Sequence, residues 1–313
     1  MSETKWQRSS LRKLSQELTK AEHPVSHTTV GRLLHEQHYT LKANEKRLSG
    51  TAHPDRDQQF KYLEDLKTAF LEAGKPVISV DSKKKELIGN FKNNGREWCL
   101  TAAAVNEHDF DQDALGKAAP YGIYDLAQNQ GYVYVGQSAD TPQFAVEMIA
   151  RWWQSAGSLL YPDQTQLLIN ADAGGSNGCR PHVWKQQIQE QLADRLGLEV
   201  TVCHFPTGAS KWNPIEHRLF GPISINWAGK PLRTFEAILA YIRGTVNATG
   251  LQVKAFLIEK AYEKGTKLCG VIFSNPLDSL ISHCWLAPLR YHSSTYFKRI
   301  SVASPDPVIE EWL

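Results

Sequence analysis

The sequence carries no strong charge of either sign: 35 Lys and Arg stand against 33 Asp and Glu, for a net charge of +2. No global basic field marks the chain as a nucleic-acid binder, so any such surface has to arise from local placement of basic side chains. Cys-x-x-Cys pairs are missing as well. The five cysteines (Cys99, Cys179, Cys203, Cys269 and Cys284) are scattered and odd in number, which argues for a reducing compartment and against a zinc ribbon. No apolar run approaches the roughly 18 residues of a membrane span, and the N-terminus is polar, which argues against a transmembrane helix and a signal peptide. Internal repeats and low-complexity stretches are also lacking. What remains is a cytoplasmic globular protein with no expected membrane partner. At 313 residues and 42% apolar, it is long enough for a catalytic domain with a small appendage.

Against this plain background three acidic residues stand in distinctive settings. Asp81 ends the apolar run Val77-Ile78-Ser79-Val80. Asp172 ends Leu167-Leu168-Ile169-Asn170-Ala171 and is followed by Gly174-Gly175-Ser176-Asn177-Gly178. Glu216 lies within Lys211-Trp212-Asn213-Pro214-Ile215-Glu216-His217-Arg218-Leu219-Phe220. Taken singly, a strand-end Asp is most often a turn former, and Glu216 reads equally as part of an exposed helix face. Together, two carboxylates at strand ends and one on a helix can hold two Mg2+ ions, with Mn2+ as a substitute. Such a pair, about 4 Å apart, activates an attacking oxygen and relieves charge on a phosphodiester under attack. The glycines after Asp172 leave little side-chain bulk against an approaching DNA backbone.

Periodicity predicts the surrounding elements. Helices are expected over 9–23 and from Ser26 to Gln37, joined by a turn at His23-Pro24. This pair reads as a partial helix-turn-helix, with Thr28 and Arg32 outward for DNA, or as a plain helical hairpin. A polar, basic stretch at 40–58 reads as a linker. A helix over 56–73 leads to the strand ending at Asp81, and the Lys83-Lys84-Lys85 and Gly89–Gly95 stretches suit a hairpin loop. Strands at 121–126 and 131–136, a helix at 142–156, a strand at 167–171, a helix at 180–196, a strand at 198–202 and the Glu216 helix follow. That order predicts an α/β fold, a mixed sheet with helices on both faces. The expected domains are 1–58, the DNA-binding segment and linker; 59–250, the catalytic domain; and 251–313, a tail of undetermined structure.

The segments at 80–91, 120–126, 140–147, 172–178 and 210–220 resemble the Rhodopirellula-type DDE transposases of bacterial insertion sequences, over roughly residues 8–267. The resemblance implies a ribonuclease H-like core, magnesium, and cleavage and strand transfer at transposon ends. It implies metal-ligand and catalytic roles for Asp81, Asp172 and Glu216. Partners would be double-stranded DNA at transposon ends and target DNA, bound by a homodimer associated with the nucleoid. Relative to that family the chain reads as an N-terminally shortened copy whose tail after about Lys267 departs from the usual ending.

Around the triad, Lys83, Lys84 and Lys85 read as phosphate contacts or as a solvated charge run. Asn177, Lys211, Trp212 and Asn213 read as DNA contacts, with core packing equally open for Trp212. Trp152 and Trp153 read as core. Asp125 and Asp140 are rival acids in turn-like or helix-start settings, Asp140-Thr141-Pro142 resembling an N-cap. Besides a transposase, the residues admit a nuclease without strand transfer and a catalytically silent DNA-binding remnant.

Overall fold

The computed structural model describes residues 10–40, 55–178, 180–206, 208–265, 289–291 and 301–302. Contacts divide the chain into two units, Met1–Thr51 and Ala52–Leu313. The predicted linker lies largely, and the tail after Lys267 almost wholly, outside the described residues.

In the first unit, α1 (Leu11–Lys20) and α2 (His27–Glu36) begin at Ser10 and Ser26. Each serine hydroxyl accepts a backbone N–H of the first turn, from Lys13 and Thr29 respectively, which satisfies an otherwise orphaned donor. Ser15 Oγ donates to the Val25 carbonyl at 2.6 Å and ties the first helix to the turn. Gly31 lets the helices meet, because a Cβ there would stand 3.3 Å from Leu11 Cδ1. Thr28 and Arg32 are exposed; Arg32 pairs with Glu36 one turn on.

The second unit is built on a mixed sheet. Its elements run α3 (Arg56–Glu72), β1 (Val77–Ser82), β2 (Glu86–Ile88), β3 (Gly116–Asp125), β4 (Gln130–Gly136) and α4 (Pro142–Trp152). Then come α5 (Ser158–Leu160), β5 (Gln166–Asp172), α6 (His182–Gln187), β6 (Glu199–Phe205), α7 (Gly221–Asn226), α8 (Phe235–Arg243) and β7 (Gln252–Ile258), with short β8 (Leu289–Tyr291) and β9 (Ser301–Val302). The strand order is β7-β4-β3-β1-β5-β6-β8-β9, and β2 pairs with β3. β3 runs antiparallel to β1 and β4 antiparallel to β3, whereas β5 runs parallel to β1 and β6 parallel to β5. This is the ribonuclease H-like mixed sheet that the predicted order implies.

Three local differences from the sequence reading have physical causes. The expected hairpin loop after Asp81 contains β2, because Glu86–Ile88 finds open hydrogen-bonding edge on the first half of β3. The 142–156 and 180–196 helices both widen into π-helical turns, at Trp153–Gly157 and Ile188–Asp194. The sheet also continues past residue 250: Gln252–Ile258 runs parallel beside β4 and takes up its outer edge.

The two faces of this sheet are covered differently. One carries Tyr121, Ile123, Tyr132 and Val202 under α4 and α6, with Trp152, Trp153 and Trp184 filling the layer. On the other, α3 covers Val77, Leu168, Cys203 and Phe205, while the segment from Ile215 through α8 covers Tyr124, Val133 and Val253. That second segment sits very low. A Cβ on Gly122 would come within 2.6 Å of the Phe220 ring and 2.9 Å of Ile215, and one on Gly131 within 2.3 Å of Leu219. Its far end grips the β2–β3 connection. Asn93 Nδ2 donates to the Trp227 carbonyl at 2.9 Å, and Gly229 N–H donates to the Asn94 carbonyl at 2.9 Å. Gly95 and Gly229 interlock there, both at positive φ and each against the other strand's backbone. Beyond this root, Trp98 and Leu100 are fully exposed.

Candidate active site

The carboxylates meet where the two covering layers of the second face part. The last paired residues of β1 and β5 are Val80 and Ala171, so Asp81 and Asp172 follow side by side at the strand ends. Asp81 is also in register with Gly122 of β3. Glu216 opens the π-helical turn Glu216–Phe220, which the bare backbone at Gly122 and Gly131 lets down onto the sheet.

Their electrostatics show how close they are. Burial and then the Asp172 charge push Asp81 up to about 8, with Glu216 and Asp140 adding to the rise. The Ser82 N–H, donating to Asp81 Oδ1 at 2.7 Å, works against it. Asp172 is raised by burial, against a hydrogen bond from Asn213. Glu216 is raised by burial and by Asp172, while Lys83, His217 and a hydrogen bond with Asp81 oppose the shift. Three acids in this arrangement resist joint ionisation unless a cation joins them. Among the described residues no three His, Cys, Asp or Glu side chains are already closed into a metal-ligand cluster. The donor set is nonetheless anionic and all-oxygen, the chemistry that Mg2+ and Mn2+ prefer.

The basic and polar candidates separate into two groups. Lys84, Lys85, Lys211 and Trp212 are exposed; Trp212 meets Phe60 edge-on at 5.9 Å, and Lys211 Nζ lies 5.4 Å from the Trp212 ring. Lys83, Asn177 and Asn213 are engaged inside the protein. Lys83 is 11% exposed, paired with Glu86 at 3.2 Å and lying 4.7 Å over the Trp227 ring. Asn177 is buried: its Oδ1 accepts from the Tyr121 hydroxyl at 2.9 Å and its carbonyl faces His204 Nε2 at 2.8 Å. With Ser176 and Ser82 hydroxyls 3.2 Å apart, the glycine-rich loop is fastened down at its far end. Gly174 and Gly175 still face open space. Asn213 is fully buried beneath the triad.

Both rival acids have defined surroundings. Asp125 is buried in the β3–β4 turn, where Oδ1 accepts from Ala127 N–H, Gln128 N–H and the Tyr161 hydroxyl. Asp140 does not cap α4; Thr141 does, accepting the Phe144 N–H at 3.2 Å. Asp140 instead stands near enough to Asp81 to raise it, a proximity no sequence pattern signals. His217 Nε2–H donates to the Lys211 carbonyl, so its ring braces the turn before Glu216. A cavity of about 550 Å³ lined by Glu147, Arg151, Arg195 and Lys260 does not include the triad. No helix among the described residues is long and apolar enough to cross a membrane.

Comparison with known proteins adds the family. No curated protein matches the chain. Among solved structures, the chain is similar to the Mos1 transposase paired-end complex with left transposon end, at 13% identity and TM-score 0.47, over 75% of this chain and 66% of that one. It is similar to a pre-cleavage Mos1 transpososome at 12% identity and TM-score 0.47, covering 77% and 72% respectively. A mariner Mos1 paired-end complex with Mn matches at 12% identity and TM-score 0.45, over 75% and 66%. The chain thus spans just under two thirds of the first of these proteins. The model of the Rhodopirellula transposase DDE domain family matches residues 1–275, and the chain belongs to that family.

Proposed function

We propose that this chain is a metal-dependent DNA transposase that cleaves insertion-sequence ends and joins them to target DNA by in-line phosphoryl transfer. The observation that carries the reading is the convergence of Asp81, Asp172 and Glu216 at the ends of two central strands, each raised chiefly by burial, with the Asp172 charge pressing on the other two. Asp81 and Asp172 would each ligate a divalent ion from the strand ends, and Glu216 from above. When bound, Mg2+ or Mn2+ supplies Lewis-acid activation of the attacking oxygen and neutralises the leaving one.

The remaining work falls to this chain's own surface. Lys84, Lys85 and Lys211 stand exposed beside the acids, where their ammonium groups can pair with DNA phosphates. Trp212 offers a half-exposed ring on which a base can stack. Gly174 and Gly175 leave room for a sugar-phosphate backbone close to Asp172. Thr28 and Arg32 on α2 face solvent as a DNA-reading helix requires. Joining two ends in one reaction calls for two copies of the chain, hence a homodimer on DNA, associated with the nucleoid.

The test is nicking and joining of a labelled duplex carrying the element's own terminus, with Mg2+ or Mn2+, alongside Asp172→Asn. Metal-dependent joined products, reduced at least about 1000-fold in the variant, are expected. Nicks without joining would make the chain a nuclease. Binding without any metal-dependent product would make it a silent DNA-binding remnant.

A further inference from the structure

Asn213 bonds to every carboxylate-bearing element, through its side chain to β1 and Asp172 and through its backbone carbonyl to the Glu216 turn. It is 0% exposed, although Lys211 and Trp212 just before it face solvent. Ser79 Oγ, on β1 two residues before Asp81, accepts the Ile215 N–H at 3.2 Å. Its own proton is then directed to Asn213 Oδ1. That bond fixes which way round the amide lies. Nδ2 must turn toward the Val80 carbonyl and Asp172 Oδ1, each 3.4 Å away. The Asn213 carbonyl in turn accepts the Glu216 N–H at 3.1 Å. One residue thereby joins β1, the end of β5 and the start of the Glu216 turn.

Packing alone does not ask for this group. An apolar side chain of similar volume would fill the space without the desolvation of an amide, whereas here each polar atom of Asn213 is directed at a defined partner. The amide also makes the only side-chain hydrogen bond that Asp172 has among the described residues. It therefore constrains one of the two carboxylate oxygens.

We propose that Asn213, held by Ser79, is a positioning residue that sets Asp172 and Glu216 relative to Asp81 and so determines how tightly the three carboxylates hold a divalent cation. Neither side chain meets the cation or the DNA. The inference rests on the metal-binding reading of the triad, and the two can fail separately.

The experiment is Mn2+ binding to the full chain without DNA, followed by the loss of the free-ion electron paramagnetic resonance signal. Wild type, Asn213→Ala, Ser79→Ala and Asp172→Asn are compared, with thermal melting in EDTA as the measure of folding. Asn213→Ala and Ser79→Ala should each bind Mn2+ about 10–100-fold more weakly while still melting cooperatively. Should Asn213→Ala fail to fold, Ser79→Ala decides, since it removes only a hydroxyl. Wild-type affinity in a folded Ser79→Ala, or in a folded Asn213→Ala, overturns the positioning role and leaves the metal centre standing. A wild-type chain that takes up no Mn2+, or an Asp172→Asn chain that binds as well as wild type, overturns the metal reading and this inference with it.

Discussion

The two faces of the central sheet solve the same problem by opposite means. Under α4 and α6 the layer is thick, and Tyr121, Tyr132, Trp152 and Trp184 fill it. Under the Glu216 segment the layer is thin: Gly122 and Gly131 present bare backbone, and Ile215, Leu219 and Phe220 rest almost directly upon it. Bulk holds the first face together, whereas close approach holds the second. A carboxylate on a thick layer would stand too far above the strand ends to share an ion with them. The thin face is therefore the one that can bring a helix-borne acid to Asp81 and Asp172.

The comparison can be broken by changing either face. The largest expected effect on stability is at Trp152, which is fully buried in the thick layer. Trp152→Ala should destabilise the fold by about 3–5 kcal/mol, as measured by denaturant unfolding. DNA cleavage per folded molecule should stay within a few-fold of wild type. An equal loss of activity and stability would mean the thick face also sets the site.

Gly122→Ala should behave the other way. The added methyl meets the Phe220 ring, and overpacking of this kind costs about 1–3 kcal/mol. Because the displaced segment carries Glu216, strand cleavage should fall more than about tenfold even in fully folded protein. A folded variant with wild-type cleavage would show that Glu216 tolerates being lifted.

The smallest effect is in acid. His204 lies on the thick face, where burial lowers it to about 4 against an ordinary 6.5. In that interval the unfolded chain binds the proton and the folded chain does not, so stability falls as the pH drops below 6.5. The loss between pH 7 and 5.5 should be about 1 kcal/mol, and His204→Gln should remove it from the measured slope. An unchanged slope in the variant would place the acid sensitivity elsewhere.

How much of this was legible in the sequence depends on how local the cause was. The strands ending at Asp81 and Asp172 show as short apolar runs, and each helix cap at Ser10, Ser26 and Thr141 lies within a turn of the N–H it satisfies. Lys83, Lys84 and Lys85 look alike in sequence, yet only Lys83 is drawn inside, because Trp227 and Glu86 flank it in the folded chain. Asn177 and Asn213 have the residue type and placement of DNA contacts. Their actual partners, Tyr121 and Ser79, lie on strands far away in sequence, and no local pattern announces a pairing over that separation. The local settings of the three acids were legible in the sequence; the tertiary hydrogen bonds around them were invisible at that level.

The interlocked glycines at 95 and 229 have a consequence for how this chain can change length. A surface connection ordinarily absorbs insertions, since its backbone is satisfied by water. Here one extra residue between Asn93 and Gly95 would shift Asn94 off Gly229 and part the two glycines. The root of the β2–β3 connection is thus fixed in length by the segment that follows Glu216, and the two can be lengthened only together. Past Arg96, whose backbone Gly229 packs against, the exposed Trp98 and Leu100 lie outside that restraint, and added residues can extend the tip there.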